Sequence, residues 1–342
     1  MTRIVVHEWV CGGGLADAPA ALRAELMPAG RAMRDALLAD LLALPGLSVT
    51  VTDSADAPLL PGPARVVRAA DGQAPLAFLA ELAARHDLVW VVAPESDGLL
   101  ACCQAVVGTD RWLGCSAEAI AVASSKARML QAWQAVGVCT PLAFATAAGT
   151  QRWVVKPDDG AGTVATHTHR SAAQAEAEAL ARQAQGEAVV VEPWVDGPAL
   201  SLSLRVPGLG EAPHLLSLNQ QAIRLDGAGR VHFDGVHWGP ITAQDPRRPA
   251  LQRLADATLQ ALPGLRGYVG IDLVWHAQHG PVAIELNPRL SGAYVEQSAR
   301  LGRNLAADLL ADHQRWRAHA SSAGPALHRP SQRQPATEAP HA

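Results

Sequence analysis

The sequence predicts a parallel α/β layer followed by a second unit of mixed helices and strands. Three observations lead there. Apolar strand-like runs alternate with Ala- and Leu-rich helical stretches through roughly residue 115. A helix start at Ser124-Ser125 opens a new unit. Beyond it lie two β-rich runs, Gly267–Trp275 and Pro281–Leu286, separated by a short polar turn.

The first layer begins with Arg3–Val10, a buried strand running into Cys11-Gly12-Gly13-Gly14. A helix is expected from about Arg31 to Leu44, a strand at Leu47–Thr52, a helix at Leu76–Arg85 and a strand at Asp87–Ala93. In the second unit a helix runs from the Ser124-Ser125 cap to about Val136, where Gly137 stops it. Arg152–Lys156 reads as a strand ending in Pro157-Asp158-Asp159-Gly160-Ala161-Gly162-Thr163, Ala172–Gln185 as a helix, and Ala188–Trp194 as a strand. Strands follow at Leu200–Val206, His214–Arg224 and the two runs named above, with helices at Ala250–Leu262 and Glu296–Asp312. From about His319 the Ser/Pro/Gln/Ala tail has no periodicity, and disorder is expected there. The expected divisions are 1–115, 116–196, 197–313 and a tail of 314–342.

A chain of 342 residues suits two or three lobes, and 49% hydrophobic with 18% charged residues marks it as globular. The net charge of -4 gives no reason to expect nucleic acid. No apolar stretch approaches the roughly 18 residues that span a bilayer, and the N-terminus reaches charge too soon for a signal peptide. A cytoplasmic protein with small-molecule partners is expected, and a homodimer is left open. The five cysteines (Cys11, Cys102, Cys103, Cys115, Cys139) are odd in number and lack C-x-x-C spacing, so they read as reduced apolar fillers.

Of the 28 basic residues only Lys126 and Lys156 are lysines. A chain that otherwise uses arginine has kept a compact ammonium at two places.

The strongest chemical signal is the hairpin. With its turn centred on Gln278-His279, Val274 faces Ala283 and Asp272 faces Glu285, and Asn287 follows Glu285 on the same face. Val269, Ile271, Leu273, Val282, Ile284 and Leu286 then form the apolar face. Two carboxylates opposite one another sit roughly 5 Å apart and repel. A cation between them removes the conflict, and an Asp/Glu/Asn oxygen set suits magnesium. The plainer reading is a solvated face neutralised by arginines. Arg289 fits either, as neutralising partner or as phosphate clamp.

Lys156 ends an apolar strand ahead of a Gly-x-Gly loop whose backbone N–H groups can close over phosphate oxygens, although the same pattern also makes an ordinary turn. The order of lysine and glycines is not that of a P-loop. Lys126 near a helix start is ordinary by itself. Val189–Gly197 can offer backbone groups to an adenine ring, with Glu192 and Trp194 at the rim, or serve as a linker.

Taken in order, Ser-Ser-Lys126, Val-Val-Lys156-Pro-Asp-Asp-Gly-Ala-Gly, Val-Glu192-Pro-Trp-Val-Asp-Gly, Gly-Ile-Asp272 and Glu285-Leu-Asn287-Pro-Arg resemble the ATP-grasp superfamily over roughly residues 115–312. The resemblance implies a Rossmann-like α/β domain followed by an ATP-grasp fold of two α+β lobes with ATP held between them. It puts Lys126, Lys156 and the Gly160-Ala161-Gly162 lid on the phosphates and Glu192, Pro193, Trp194 and Val195 at adenine. Asp272, Glu285 and Asn287 would bind magnesium, with manganese as an alternative. Lys156 and Arg289 would assist phosphoryl transfer. Within the superfamily, His7–Gly14, Ser217–Gln221 and Gly270–Val274 with Glu-Leu-Asn-Pro-Arg-Leu-Ser-Gly look similar to tyramine (or tyrosine)–L-glutamate ligases of methanofuran-type cofactor synthesis. That implies substrate contacts at Glu8, Gly12, Gly13, Gly14 and Gln221. Gly270 stands where D-alanine ligases carry an arginine, and Ala199 where many relatives place an acid near ribose, so no ribose residue is assigned.

The expected activity is an ATP-dependent carboxylate–amine ligase working through an acyl phosphate. Other amino-acid or peptide substrates are the nearest alternative. A non-catalytic nucleotide sensor has no need of three metal ligands. A dinucleotide oxidoreductase needs a third glycine that Gly12-Gly13-Gly14-Leu-Ala-Asp lacks.

Overall fold

The computed structural model describes residues 1–55, 57, 62–146, 151–160 and 162–322. In the first layer β1 (Thr2–Glu8) leads through α1 (Ala20–Leu42) to β2 (Leu47–Thr52) and β3 (Arg65–Val67). Then come α2 (Pro75–Arg85), β4 (Leu88–Val92) and α3 (Leu99–Val107). The four strands form one parallel sheet in the order β3-β2-β1-β4. Alternation along β1 serves both faces. Ile4 and Val6 pack with Leu37, Leu38 and Leu41 of α1, while Val5 packs with Phe78, Leu79 and Leu82 of α2 and Leu100 and Cys103 of α3. A sheet covered on both sides requires the continuous apolar runs that marked these strands in the sequence.

Helix α1 is longer than expected. It starts at Ala20, not Arg31, and runs through Pro28, whose missing N–H leaves one carbonyl of the preceding turn without its helical donor.

The second unit opens with α4 (Ala117–Ala123) and α5 (Lys126–Ala135), capped by the Ser116 and Ser125 hydroxyls, which accept from Ala119 and Arg128 N–H groups. A three-stranded antiparallel sheet follows: β5 (Trp153–Pro157), β6 (His167–His169), α6 (Ala172–Gln183) and β7 (Val189–Pro193), in the order β6-β5-β7. Its small core is Val155 against Ala175 and Ala179 of α6. A five-stranded antiparallel sheet comes next. It contains β8 (Ala199–Val206), β9 (His214–Leu225) and β10 (Val231–His237), then α7 (Arg248–Ala261), β11 (Gly267–His276) and β12 (Gly280–Asn287), ordered β10-β9-β8-β11-β12. Short α8 (Gln297–Leu301) and long α9 (Leu305–Ser322) close the described chain. The α/β layer and α+β lobes expected from the sequence are therefore present.

Two boundaries differ from expectation. Helices α4 and α5, expected with the small lobe, pack on the apolar face of the large sheet. Ile120, Met129, Leu130 and Trp133 share a core with Leu202, Leu204, Ile271 and Leu273, and the Trp133 indole donates to Thr258 Oγ1 of α7 at 2.9 Å. Helix α9 continues to Ser322, past the expected fold end at 313, and residues 323–342 of the expected tail lie outside the described residues.

The two antiparallel sheets are strapped together. At the tip of the β9–β10 hairpin the Gly229 carbonyl accepts from Thr168 N–H (2.7 Å), and Val231 N–H donates to the Thr166 carbonyl (3.0 Å). His167 and Arg230 form an antiparallel bridge, so edge strand β6 is extended by a piece of the large lobe. Gly229 has φ +86°, and a Cβ there would lie 2.7 Å from the Thr168 carbonyl. Gly229→Ala therefore loses about 1–2 kcal/mol from backbone conformation alone and disrupts the strap. Amide exchange at Thr168 and Val231 should accelerate in that variant while the β8–β11 amides keep their protection.

Candidate active site

The large sheet has one apolar and one polar face. On the polar face two rows of side chains cross the strands: Asn219, Ser201, Asp272, Glu285, and beside it Ser217, Ser203, Gly270, Asn287. These polar residues are tied to one another. The Asn219 amide donates to the Ser201 carbonyl and to Ser203 Oγ (3.1 Å each), and Tyr268 Oη donates to Ser203 Oγ (2.8 Å). Satisfied in this way, the buried polar rows form a rigid floor.

Asp272 does face Glu285, but by a different route from the one expected. The loop spans three residues, His276 pairing with Gly280, whose φ of +70° suits the left-handed position of such a loop. Val274 consequently pairs with Val282, not Ala283, and a bulge at Ile284 restores the register so that Asp272 meets Glu285 and Gly270 meets Asn287. The bulge also changes the apolar face. Ala283 and Leu286 join the Ile271/Leu273 core, whereas Ile284 is only half-buried.

The expected electrostatic conflict is present. Burial first, and the Glu285 carboxylate second, push Asp272 up to about 6, while side-chain hydrogen bonds from Ser201, Asn287 and Gln221 pull the other way. Asn287 Nδ2 donates to Asp272 Oδ2 at 3.2 Å. Gln221, expected at substrate, thus stands beside the acid pair.

Lys126 answers Glu285. Its Nζ lies 3.3 Å from Glu285 Oε1 and donates to the Asp159 and Gly160 carbonyls at 3.0 and 3.2 Å. The root of the glycine loop is also clipped to the start of α5: Lys126 N–H donates to the Asp158 carbonyl and Ala127 N–H to Asp158 Oδ1, both at 2.8 Å. Asp97 N–H donates to Asp159 Oδ2 at 2.6 Å. Gly160 and Gly162 take φ +91° and +74°, and Ala161 lies outside the described residues. Asp158 and Asp159 were visible in the loop but carried no expected role. The ammonium at position 126 should have suggested them, since a buried lysine needs several acceptors.

Lys156, on β5, makes a buried 2.6 Å ion pair with Glu192 on β7. The neighbouring registers Lys156–Val190 and Val154–Glu192 put both on one face. Glu192 is therefore the partner of Lys156 rather than a free carboxylate at a rim. In the same segment Pro193 pairs with Trp153, and the Trp194 N–H is used by the Arg152 carbonyl (2.9 Å). The Trp194 indole donates to Asp196 (3.1 Å), and Val195 is buried. The unpaired strand end expected for adenine thus begins beyond Trp194 N–H.

Arg289 makes no direct ion pair with the acid pair, although the Glu285 and Asp272 charges reach it, nor does it stand free as a phosphate clamp. Its Nε and Nη2 hold both oxygens of the buried Glu95 at 2.9 and 2.8 Å, and its own side chain is mostly covered. Glu95 follows β4, at the C-terminal edge of the parallel sheet where ligands of α/β folds collect, and that position was the available signal for it.

The glycine turn after β1 also differs from expectation. All three N–H groups close the turn itself: Gly12 to the Glu8 carbonyl, Gly13 to Val10 and Gly14 to Trp9. A Cβ on Gly12 would stand 2.7 Å from the His7 ring, and one on Gly14 2.2 Å from the Trp9 ring. The Glu8 carboxylate is buried under the turn and accepts from Cys11 N–H at 2.7 Å. These glycines let the turn pack on its own strand, and their amides are not available to a substrate.

Among the described residues no group of three or more His, Cys, Asp or Glu side chains is placed to hold a metal ion. The acid set is two carboxylates and one amide, all hard oxygen donors. Burial, and the Glu285 carboxylate after it, raise the proton affinity of Asp272, a balance that a small dication would relieve. The residues fit magnesium. No described helix is long and apolar enough to cross a membrane.

A layered α/β domain is joined to two antiparallel sheets, and Lys126 with the Asp158–Gly160 loop meets the acid pair on the larger one. The sequence matches the ATP-grasp domain over residues 123–293 and the pre ATP-grasp 3 domain over residues 47–120. The chain belongs to the ATP-grasp family. Among solved structures it is similar to an ATP-grasp superfamily protein from Archaeoglobus fulgidus (21% identity, TM-score 0.65), the match covering 91% of this chain and 88% of that one. It is also similar to D-alanine–D-alanine ligase from Bacillus anthracis (13%, TM-score 0.61, 94% and 100%). A third likeness is to L-amino acid ligase from Bacillus licheniformis (15%, TM-score 0.56, 87% and 74%). At these identities the likeness is one of fold. No curated protein matches the sequence significantly.

Two predictions follow from the charges. Asp272 binds its proton more tightly in the folded state, so its ionisation destabilises the metal-free protein as pH rises from the ordinary 3.8 to about 6, with no further loss above. Magnesium should therefore raise the melting temperature more at about pH 8 than at about pH 5, and Asp272→Asn should abolish that difference. Equal shifts at both pH values in the unmodified protein refute the assignment. Glu95→Ala strands the mostly covered Arg289 guanidinium and should cost about 3–5 kcal/mol in chemical denaturation.

Proposed function

We propose that this protein is an ATP-dependent ligase that activates a carboxylic acid as an acyl phosphate and joins it to an amine. The observation that carries the reading is the convergence of Asp272, Glu285 and Asn287 on the polar floor with Lys126 and the loop Asp158–Gly160. Asp272, Glu285 and Asn287 would hold magnesium, which when bound offsets phosphate charge.

The remaining work is positioning and electrostatics. A substrate carboxylate oxygen forms a bond to the terminal phosphorus of ATP as the bond to ADP breaks. Lys126 leaves the loop carbonyls and Glu285 for phosphate oxygens, and Lys156 turns from Glu192 in the same way. The Gly160–Gly162 lid excludes water from the acyl phosphate. The amine then attacks the acyl carbon, phosphate leaves, and the amine surrenders a proton to give the amide. Arg289, held by Glu95 of the N-terminal domain, borders the site as a fixed positive charge.

For substrates we take the γ-carboxyl of L-glutamate and the amine of tyramine or tyrosine. This rests on the resemblance of His7–Gly14, Ser217–Gln221 and the Glu-Leu-Asn-Pro-Arg-Leu-Ser-Gly segment, with Gln221 beside Asp272 as the supporting contact. Gly270 leaves the floor without the arginine of D-alanine ligases. The names of two fold neighbours, a D-alanine–D-alanine ligase and an L-amino acid ligase, support amino acids generally as the second reading.

The test combines purified protein, ATP, magnesium and panels of acids and amines, with ADP and product mass as readouts. ADP release that needs both glutamate and tyramine or tyrosine is expected. Stimulation only by other amino acids favours the second reading. Asp272→Asn with Glu285→Gln should cut turnover by about a hundredfold or more. Undiminished ligation in that double variant would falsify the role given to the acid pair.

A further inference from the structure

A cavity of about 30 Å³ lies beside the end of the polar floor, between the end of the parallel sheet, the start of β11 and helix α9. Its wall includes Trp90, Trp112, Arg266, Tyr268, His313 and Trp316. Arg266 is 8% exposed, and its guanidinium carbon sits 3.7 Å over the Trp316 ring. Its Nε and Nη2 have no hydrogen-bond partner among the described residues. The Trp112 Nε1 and His313 Nε2 atoms, in residues 2% and 7% exposed, are likewise unpartnered. Asp312 borders the same cavity but is taken by Arg205 at 2.6 and 3.0 Å and by Arg315 at 2.8 Å.

The two open nitrogens of Arg266 define one edge of the guanidinium. Elsewhere in this protein that same Nε–Nη2 edge holds a carboxylate: Arg205 on Asp312, Arg247 on Asp245 and Arg289 on Glu95. A planar fork of two parallel N–H groups matches the two oxygens of a carboxylate. Burial of an unpaired guanidinium is among the most unfavourable arrangements a fold can hold, so an edge built and left open calls for an acceptor. The volume suits a group of about two or three heavy atoms, since a single water needs roughly 10–15 Å³.

We propose that this cavity binds a small carboxylate, seated side-on on Arg266 with the Trp112 indole N–H as a further donor. The site stands independently of the ligase reading. Its wall continues through Pro288, Arg289 and Leu290, the three residues after Asn287, so a bound acid is felt at the end of β12. The carboxylate has two sources, a free small acid or Glu338 of this chain's own residues 323–342.

The experiment is an indole ¹H–¹⁵N NMR titration of the full chain with formate at constant ionic strength, the Trp112 resonance being assigned with Trp112→Phe. A saturable shift of that resonance is expected, with at least tenfold weaker binding in Arg266→Met and in a chain ending at Ser322 the same affinity as in the full chain. Binding that appears only in the shortened chain assigns the same seat to Glu338. If Arg266→Met does not fold, Arg266→Lys keeps the charge but loses the fork, and the same weakening is expected. Absence of saturation in both chain lengths, or saturation unchanged in the Arg266 variant, means solvent alone fills the cavity and overturns the proposal.

Discussion

The interaction on which the rest of this structure depends is the repulsion between Asp272 and Glu285. Two adjacent strands of a well-packed sheet set these carboxylates against each other, and burial together with that repulsion raises the proton affinity of Asp272. Gln221 and three further neighbours contain the conflict. Asn287 donates an amide hydrogen bond from the same strand as Glu285, Ser201 donates from the strand beyond Asp272, and Lys126 brings a charge from a helix far away in sequence. None of these contacts removes the excess of negative charge from both acids at once.

Lys126 explains why a short helix start is tied so closely to a glycine loop. The serine cap of α5 fixes the first turn, and the Asp158 carbonyl and carboxylate engage its first two N–H groups. That contact places the ammonium where two loop carbonyls and Glu285 share it. An arginine could not substitute easily, because a planar fork cannot direct donors at three acceptors spread around one point. The lysine kept at this position therefore has a geometric reason. At Lys156 a simpler pairing with Glu192 spans neighbouring strands.

Much of the fold was legible because burial leaves a periodic trace. The strands of the parallel sheet are covered on two faces and read as apolar runs; β8, β11 and α7 each have one face in the core. The elements that sequence reading missed lack that trace. Strand β6 has three half-buried residues, β10 is an edge strand broken by a bulge between Phe233 and Val236, and β3 has only three residues at the rim of its sheet. Helices α3 and α4 are short and nearly uniform in Ala, Val, Leu and Cys, so no polar stripe marks their limits. At the site, the acid pair was legible because hairpin geometry is local. The partners were not. Arg289 and Glu95 are 194 residues apart, and nothing in either neighbourhood announces the other.

The acid pair was even located by an argument whose details were off by one residue. A two-residue turn and an unbroken ladder give the same Asp272–Glu285 pairing as a three-residue turn followed by a bulge at Ile284. The agreement is not accidental, because pairing parity is constrained by what each face must bury. Ile271 and Leu286 belong to the core, so Asp272 and Glu285 must lie on the opposite face whichever turn joins the strands. The extra residue then has to be absorbed where the face can tolerate it. Ile284 is half-buried on an edge strand whose neighbour Ala283 donates its N–H to the Cys139 carbonyl at 2.9 Å. The bulge is thereby held by a contact outside the sheet. Function in this lobe thus rests on the apolar side of the sheet: the core sets the register, and the register brings the two charges face to face.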